Sequence, residues 1–94
     1  MVQELSADQF QGPPEYYSDS VRIGSNPYGI VFEFGLTTNS PGDARAQAVV
    51  RMSPQHALVF YQLIRKHLRL YEANVGKIAL PEALYAELDI DGEI

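Results

Sequence analysis

The sequence predicts an α+β fold: a three-stranded antiparallel β-meander, then one long α-helix and a short C-terminal helix. Three observations predict it. Apolar residues alternate with period two in three successive segments before residue 53. One long stretch after residue 53 then recurs with a helical period, and turn residues separate the pieces.

Residues 1–15 end in Gln11-Gly12-Pro13-Pro14 and hold few large apolar groups, so they read as a flexible arm. From Tyr16 a strand is expected, with Tyr17, Val21 and Ile23 on one face. Asp19 falls on that same inward face. It is expected either to mark a bulge that turns it outward or to pair with an arginine such as Arg51. Gly24-Ser25-Asn26-Pro27 supplies a hairpin turn. The second strand, residues 28–37, sets Tyr28, Ile30, Phe32, Phe34 and Leu36 against Gly29, Val31, Glu33, Gly35 and Thr37. Its two glycines point to a bulge, a bend, or another backbone lying close; ordinary sheet twist is the alternative. After the polar loop from Thr38 to Asp43, a third strand puts Ala46, Ala48, Val50 and Met52 on one face and Arg45, Gln47, Val49 and Arg51 on the other.

Ser53-Pro54 starts the long helix, with Ser53 as N-cap and Pro54 in the first helical position. Ala57, Tyr61, Ile64, Leu68, Tyr71 and Val75 recur at alternating steps of four and three, the strongest periodicity in the chain. Phe60, His67, Val59, Leu63 and Leu70 widen the apolar arc, leaving Gln62, Arg65, Lys66, Arg69, Glu72 and Ala73 for water. That arc is wider than the roughly 100° one small sheet requires, so a second packing surface is expected. Gly76 is placed at a left-handed C′ site. Pro81 opens a two-turn helix to Leu88, on which Leu80, Leu84 and Leu88 align as one patch, and residues 89–94 form an acidic, frayed tail.

Composition narrows the functions. Ninety-four residues allow one small domain, here residues 16–88, and 46% hydrophobic with 20% charged residues is ordinary globular usage. Without cysteine there is no disulfide, thiolate nucleophile or cysteine zinc site, so oligomerisation is the remaining way to stabilise so small a fold. The first ten residues show neither the basic nor the apolar region of a signal peptide, and no spanning segment follows, so a cytoplasmic location is expected. Seven basic against twelve acidic residues give a net charge of −5, which disfavours nucleic acid as a partner. The distribution is uneven: residues 44–77 hold six basic residues and one acid, net +5, and the remainder holds one basic residue and eleven acids, net −10. Arg51, Arg65, Lys66 and Arg69 are therefore candidates for binding an acidic partner.

No catalytic, cofactor or metal site is expected. There is no G-x-S-x-G sequence, and the Gly24 to Gly29 segment lacks the Lys-Ser/Thr ending of a phosphate loop and opens onto a strand. His56 and His67 lie eleven residues apart, roughly 16 Å along a helix, too far to share one metal. Asp89, Asp91 and Glu93 have no room for the flanking helices of a calcium loop. Tyr16, Tyr17, Tyr28, Phe32 and Phe34 could stack bases, but the acidic total favours core roles for them.

The combination of Tyr17-Ser18-Asp19, Asn26-Pro27-Tyr28, Phe32-Glu33-Phe34-Gly35, Met52-Ser53-Pro54-Gln55-His56-Ala57, Tyr71-Glu72, Gly76-Lys77-Ile78 and Leu80-Pro81 resembles the small prokaryotic proteins of the domain of unknown function 3467 family. The resemblance runs from about Tyr16 to Pro81, is most specific at the Met-Ser-Pro-Gln-His-Ala junction, and implies no activity or catalytic residue. The order of sheet then long helix is also similar to the export chaperone SecB, a likeness of topology without a shared motif. The functional expectation is a non-enzymatic homodimer or higher homo-oligomer that binds another polypeptide. Its self-association seam would be Ala57, Tyr61, Ile64, Leu68, Tyr71 and Val75. The alternatives are a SecB-like binder of unfolded chains and a nucleic-acid-associated regulator using the basic helix face.

Overall fold

A computed structural model describes residues 12–38 and 44–94 of the chain; most of the expected N-terminal arm and of the loop after Thr38 lie outside them. Strands β1 (Ser20–Asn26), β2 (Gly29–Thr37) and β3 (Ala44–Met52) form one antiparallel sheet in the order β1-β2-β3. Helices α1 (Pro54–Asn74) and α2 (Glu82–Leu88) follow, so the α+β meander is the fold. The chain forms two compact units, Met1–Val59 and Phe60–Ile94, divided inside α1.

In the first unit, Asn26 pairs with Gly29 and leaves Pro27 and Tyr28 as the hairpin loop. The Asn26 side chain holds that loop, its Oδ1 accepting the N–H groups of Tyr28 at 2.8 Å and Gly29 at 3.1 Å. The register sets Ile23 and Val50 on either side of Phe32, and Val21 and Ala48 on either side of Phe34, giving the sheet one apolar face. Phe32 and Phe34 stack with centroids 6.1 Å apart and planes 6° from parallel. On the opposite face Arg22 lies across from Glu33 and donates to its Oε1 from Nε at 3.0 Å.

One departure from strict alternation reorganises β3. Phe34 faces Ala48 but Gly35 faces Ala46, so Gln47 is the extra residue of a β-bulge. Ala46 therefore does not join Ala48, Val50 and Met52 beneath the phenylalanines, and Arg45, expected on the other face, comes to lie opposite Leu36. The cause is Gly35. A Cβ there would run into the Arg45 carbonyl oxygen, so only glycine lets the β3 backbone close in at that point. Gly29 shows a milder version, its Cβ position lying 3.0 Å from the Met52 carbonyl oxygen.

The N-terminal end of β1 is stitched to the same place. Ser18 Oγ accepts the Gly35 N–H at 3.2 Å, and its own proton lies within reach of the Ser20 oxygen at 2.8 Å and the Gly35 oxygen at 3.0 Å. Asp19 neither faces inward nor pairs with Arg51. It precedes β1, is exposed, and its carboxylate accepts the Thr37 N–H at 2.8 Å and the Thr37 hydroxyl at 3.2 Å. A carboxylate at a strand end satisfies open backbone donors while staying hydrated, whereas an inward position would have removed its water.

At the α1 start, Ser53 caps as expected: Oγ accepts the His56 N–H at 3.1 Å, and the Ser53 carbonyl accepts the first helical bond from Ala57 at 2.9 Å. In the second unit, the helix end differs from expectation. Gly76 has φ 155°, a positive value that glycine tolerates but well away from the left-handed helical basin near 57°. The turn is held by Glu72, expected in water but half-buried, whose Oε2 accepts the Ile78 N–H at 2.8 Å. Pro81 is the N-cap of α2 instead of its first helical residue, and Asp89 closes the helix with left-handed φ 54° and ψ 51°. Beyond it the acidic tail lies against the helices: Gly92, φ 77°, abuts the Tyr85 ring, and Arg69 Nη2 donates to the Ile94 oxygen at 3.2 Å.

Candidate functional site

Five of the six stripe positions lie where the spacing puts them, on one face of α1; Val75 follows its last residue, with its N–H still donated to the Tyr71 carbonyl at 2.8 Å, and none of the six is buried. Ala57 is half-buried; Tyr61 is 56% exposed, Tyr71 49% and Val75 69%, with Ile64 and Leu68 more closely covered at 41% and 38%. Large apolar side chains left this open in a row of three helical repeats form a patch instead of scattered single exposures. Beside the stripe Leu58 is 60% exposed, and Leu70 and Val59 are exposed as well.

Leu68 has a second role. It joins Ile78, Leu80, Tyr85, Ile90 and Ile94 in walling an open recess of about 560 Å³, rimmed by Asp89, Asp91 and Glu93. Sequence reasoning missed this grouping because Leu80, Leu84 and Leu88 looked like one helical patch. Leu80 precedes α2, so helical spacing does not relate it to the others. Tyr85 takes the inner place, and Leu88 is 60% exposed. A signal was present in Ile78 and Ile90, apolar residues bracketing α2.

Of the basic candidates, Arg65, Lys66 and Arg69 line one shallow recess with Gln62 and Leu70. Arg51 stands in the other unit, opposite Val31 on the sheet. Among the aromatics, the two phenylalanines line the apolar sheet face. Tyr16, Tyr17 and Tyr28 are exposed, Tyr28 at 91%, because it sits in the hairpin loop. The described residues contain no group of three or more His, Cys, Asp or Glu side chains placed to hold a metal ion, and no helix among them is long and apolar enough to cross a membrane.

Meander, capped long helix and open apolar stripe define a small α+β module whose most specific polar residues are spent on its own backbone. Ser18, Asp19, Asn26, Ser53 and Glu72 each hold a turn, a strand end or a helix end. The chain belongs to the family of proteins of unknown function DUF3467, whose model matches residues 2–80. No curated protein and no solved structure matches it, so the expected similarity to SecB is not shown. The match ends before α2, and with it before seven of the ten residues that line the recess.

Proposed function

We propose that the chain is a non-enzymatic interaction module that self-associates and, as an oligomer, binds another polypeptide. The observation that carries this reading is the open apolar stripe of α1, with Tyr61, Tyr71 and Val75 each about half exposed or more. Leaving such surface in water forgoes about 25 cal/mol for every Å² that a partner would cover. Ser18, Asp19, Ser53 and Glu72 are engaged in holding strand and helix ends, which supports a scaffold over a catalyst. Light scattering at micromolar concentration tests the reading: a dimer or larger assembly is expected, and a stable monomer overturns it.

The trio Arg65, Lys66 and Arg69 gives the nucleic-acid alternative its one favourable observation, a shared surface recess. That alternative requires retardation of a nucleic-acid probe that weakens steeply with salt. A cytoplasmic setting accords with both readings.

A further inference from the structure

The stripe has the spacing of a helix seam. Ala57, Ile64 and Tyr71 repeat every seven residues, as do Tyr61, Leu68 and Val75. Its side chains are graded symmetrically from the ends to the middle: Ala57 and Val75 are the smallest, Tyr61 and Tyr71 the aromatics, Ile64 and Leu68 the central aliphatics. Turned end for end, the stripe meets its own copy with like against like.

The flanks distinguish the two possible directions. On one side of the stripe, the C-terminal half of α1 carries the contacts with the chain's own tail, through Glu72 to Ile78 and Arg69 to Ile94. The same side of the N-terminal half carries Leu58, fourteen residues before Glu72 and about 21 Å away along the axis. Antiparallel pairing brings like flanks together, so Leu58 of one copy comes beside the other copy's recess. Parallel pairing would bring the opposite flank, with His67 and Asn74, to that apolar recess.

Charge points the same way. Residues 54–63 contain no Asp, Glu, Lys or Arg, whereas Arg65, Lys66 and Arg69 crowd the second half of the helix, so reversal offsets Arg69 from its copy by about 9 Å along the axis, while Lys66 falls by helical phase on the side away from the seam. Arg65 lies near the axis, and its long stem allows the guanidinium to reach water. Area also fits. Taking about 200 Å² for a whole large side chain, the open parts of Tyr61, Ile64, Leu68, Tyr71 and Val75 come to roughly 500 Å² per copy. A standard interface takes about 800 Å² per partner, and Leu58 with the recess walls supplies much of the difference.

We propose that two copies pair their α1 helices antiparallel about a two-fold axis between Ile64 and Leu68, with Leu58 of the partner subunit set against the recess walled by Leu68, Ile78, Leu80, Tyr85 and Ile94. This rests on the self-association reading above and specifies its geometry.

The natural chain has no cysteine, so single replacements report directly. Full-length Ile64→Cys and Leu68→Cys proteins, mixed and mildly oxidised, should give predominantly the mixed 64–68 disulfide dimer. Each variant linking preferentially to itself would establish parallel pairing and overturn the proposal. A wild-type dimer by light scattering that gives no cross-link in the mixture would overturn it while leaving self-association standing; a wild-type monomer overturns both. Leu58→Asp changes an exposed side chain, so the monomer should keep its circular dichroism and melting profile while dimerisation weakens roughly 30- to 100-fold, two leucines being lost per dimer. An unchanged dissociation constant would remove Leu58 from the interface and overturn the proposal.

Discussion

Replacing Gly35 by alanine should be among the most damaging single changes available in this chain, although it adds one methyl group. The new Cβ would meet the Arg45 carbonyl oxygen well inside van der Waals contact, and it would also crowd the Arg45 carbonyl carbon at 2.8 Å and the Ala46 Cα at 3.1 Å. All three are backbone atoms and cannot rotate aside, so β3 must move. Overpacking against a side chain that can adjust costs about 1–3 kcal/mol, and the upper end applies where backbone is the obstacle. Displacing β3 also strains the bulge at Gln47 and the bond from the Gly35 N–H to Ser18 Oγ. A loss of about 3 kcal/mol is expected, a large share of the roughly 5–15 kcal/mol that stabilises a typical domain. At about 4–8 °C per kcal/mol for a chain of this size, the melting temperature should fall by about 12–24 °C. Thermal unfolding followed by circular dichroism, with urea unfolding as a second probe, measures it. The built-in comparison is Gly29→Ala, where a Cβ lies 3.0 Å from the Met52 carbonyl oxygen and a loss of about 1 kcal/mol is expected. If Gly35→Ala melts within about 3 °C of the natural protein, the tight closure of β3 on β2 is not a determinant of the fold and the reasoning about the bulge is wrong.

The remaining expectations concern the polar clamps. Ser18→Ala leaves the part-buried Gly35 N–H without its acceptor and should cost about 1–2 kcal/mol in urea unfolding, whereas Ser18→Thr, which keeps the hydroxyl, should recover much of it. Ser53→Ala removes the N-cap of α1 and should cost about 1 kcal/mol, visible as a lower midpoint and earlier hydrogen exchange of the His56 amide. Arg22→Ala breaks an ion pair whose arginine side chain is 74% exposed, so its effect should stay within about 1 kcal/mol and shrink further in high salt; a larger loss would mean that Arg22 contributes through packing.

Both readings of self-association depend on the same helix but make separable demands. The general one requires only that the exposed stripe be covered in an assembly. The specific one requires that Ile64 approach Leu68 of the partner subunit and that Leu58 lie near the recess. A dimer that covered the stripe by parallel pairing of the helices would satisfy the first demand and contradict the second. The cysteine replacements distinguish the two.

By itself the sequence determined the elements. Period-two alternation is a local property, so β2 and β3 were legible almost to the residue. The strand expected from Tyr16, in contrast, begins only at Ser20 and runs through Gly24 and Ser25 of the expected turn, leaving Pro27 and Tyr28 as the loop. Ser53-Pro54 carries its capping chemistry within four residues, and α1 begins there as read. The stripe from Ala57 to Val75 was equally legible, because helical spacing alone puts those positions on one face. Tertiary structure decided where non-local contacts overrule a local pattern. Gly35 admits the Arg45 carbonyl, and that close approach turns Ala46 and Arg45 to faces opposite to those their alternation predicts. Asp19 reads as a strand residue until the end of β2, eighteen residues on, offers it the Thr37 N–H. Glu72 belongs by helical phase on the solvent side, yet the chain's return after Gly76 supplies the Ile78 amide and draws it in. The recess is likewise a product of that return, since Leu68 and Ile90 have no sequence relation that periodicity could detect. Periodicity reports only which neighbours a side chain has along its own element; an atom arriving from elsewhere in the chain decides the rest.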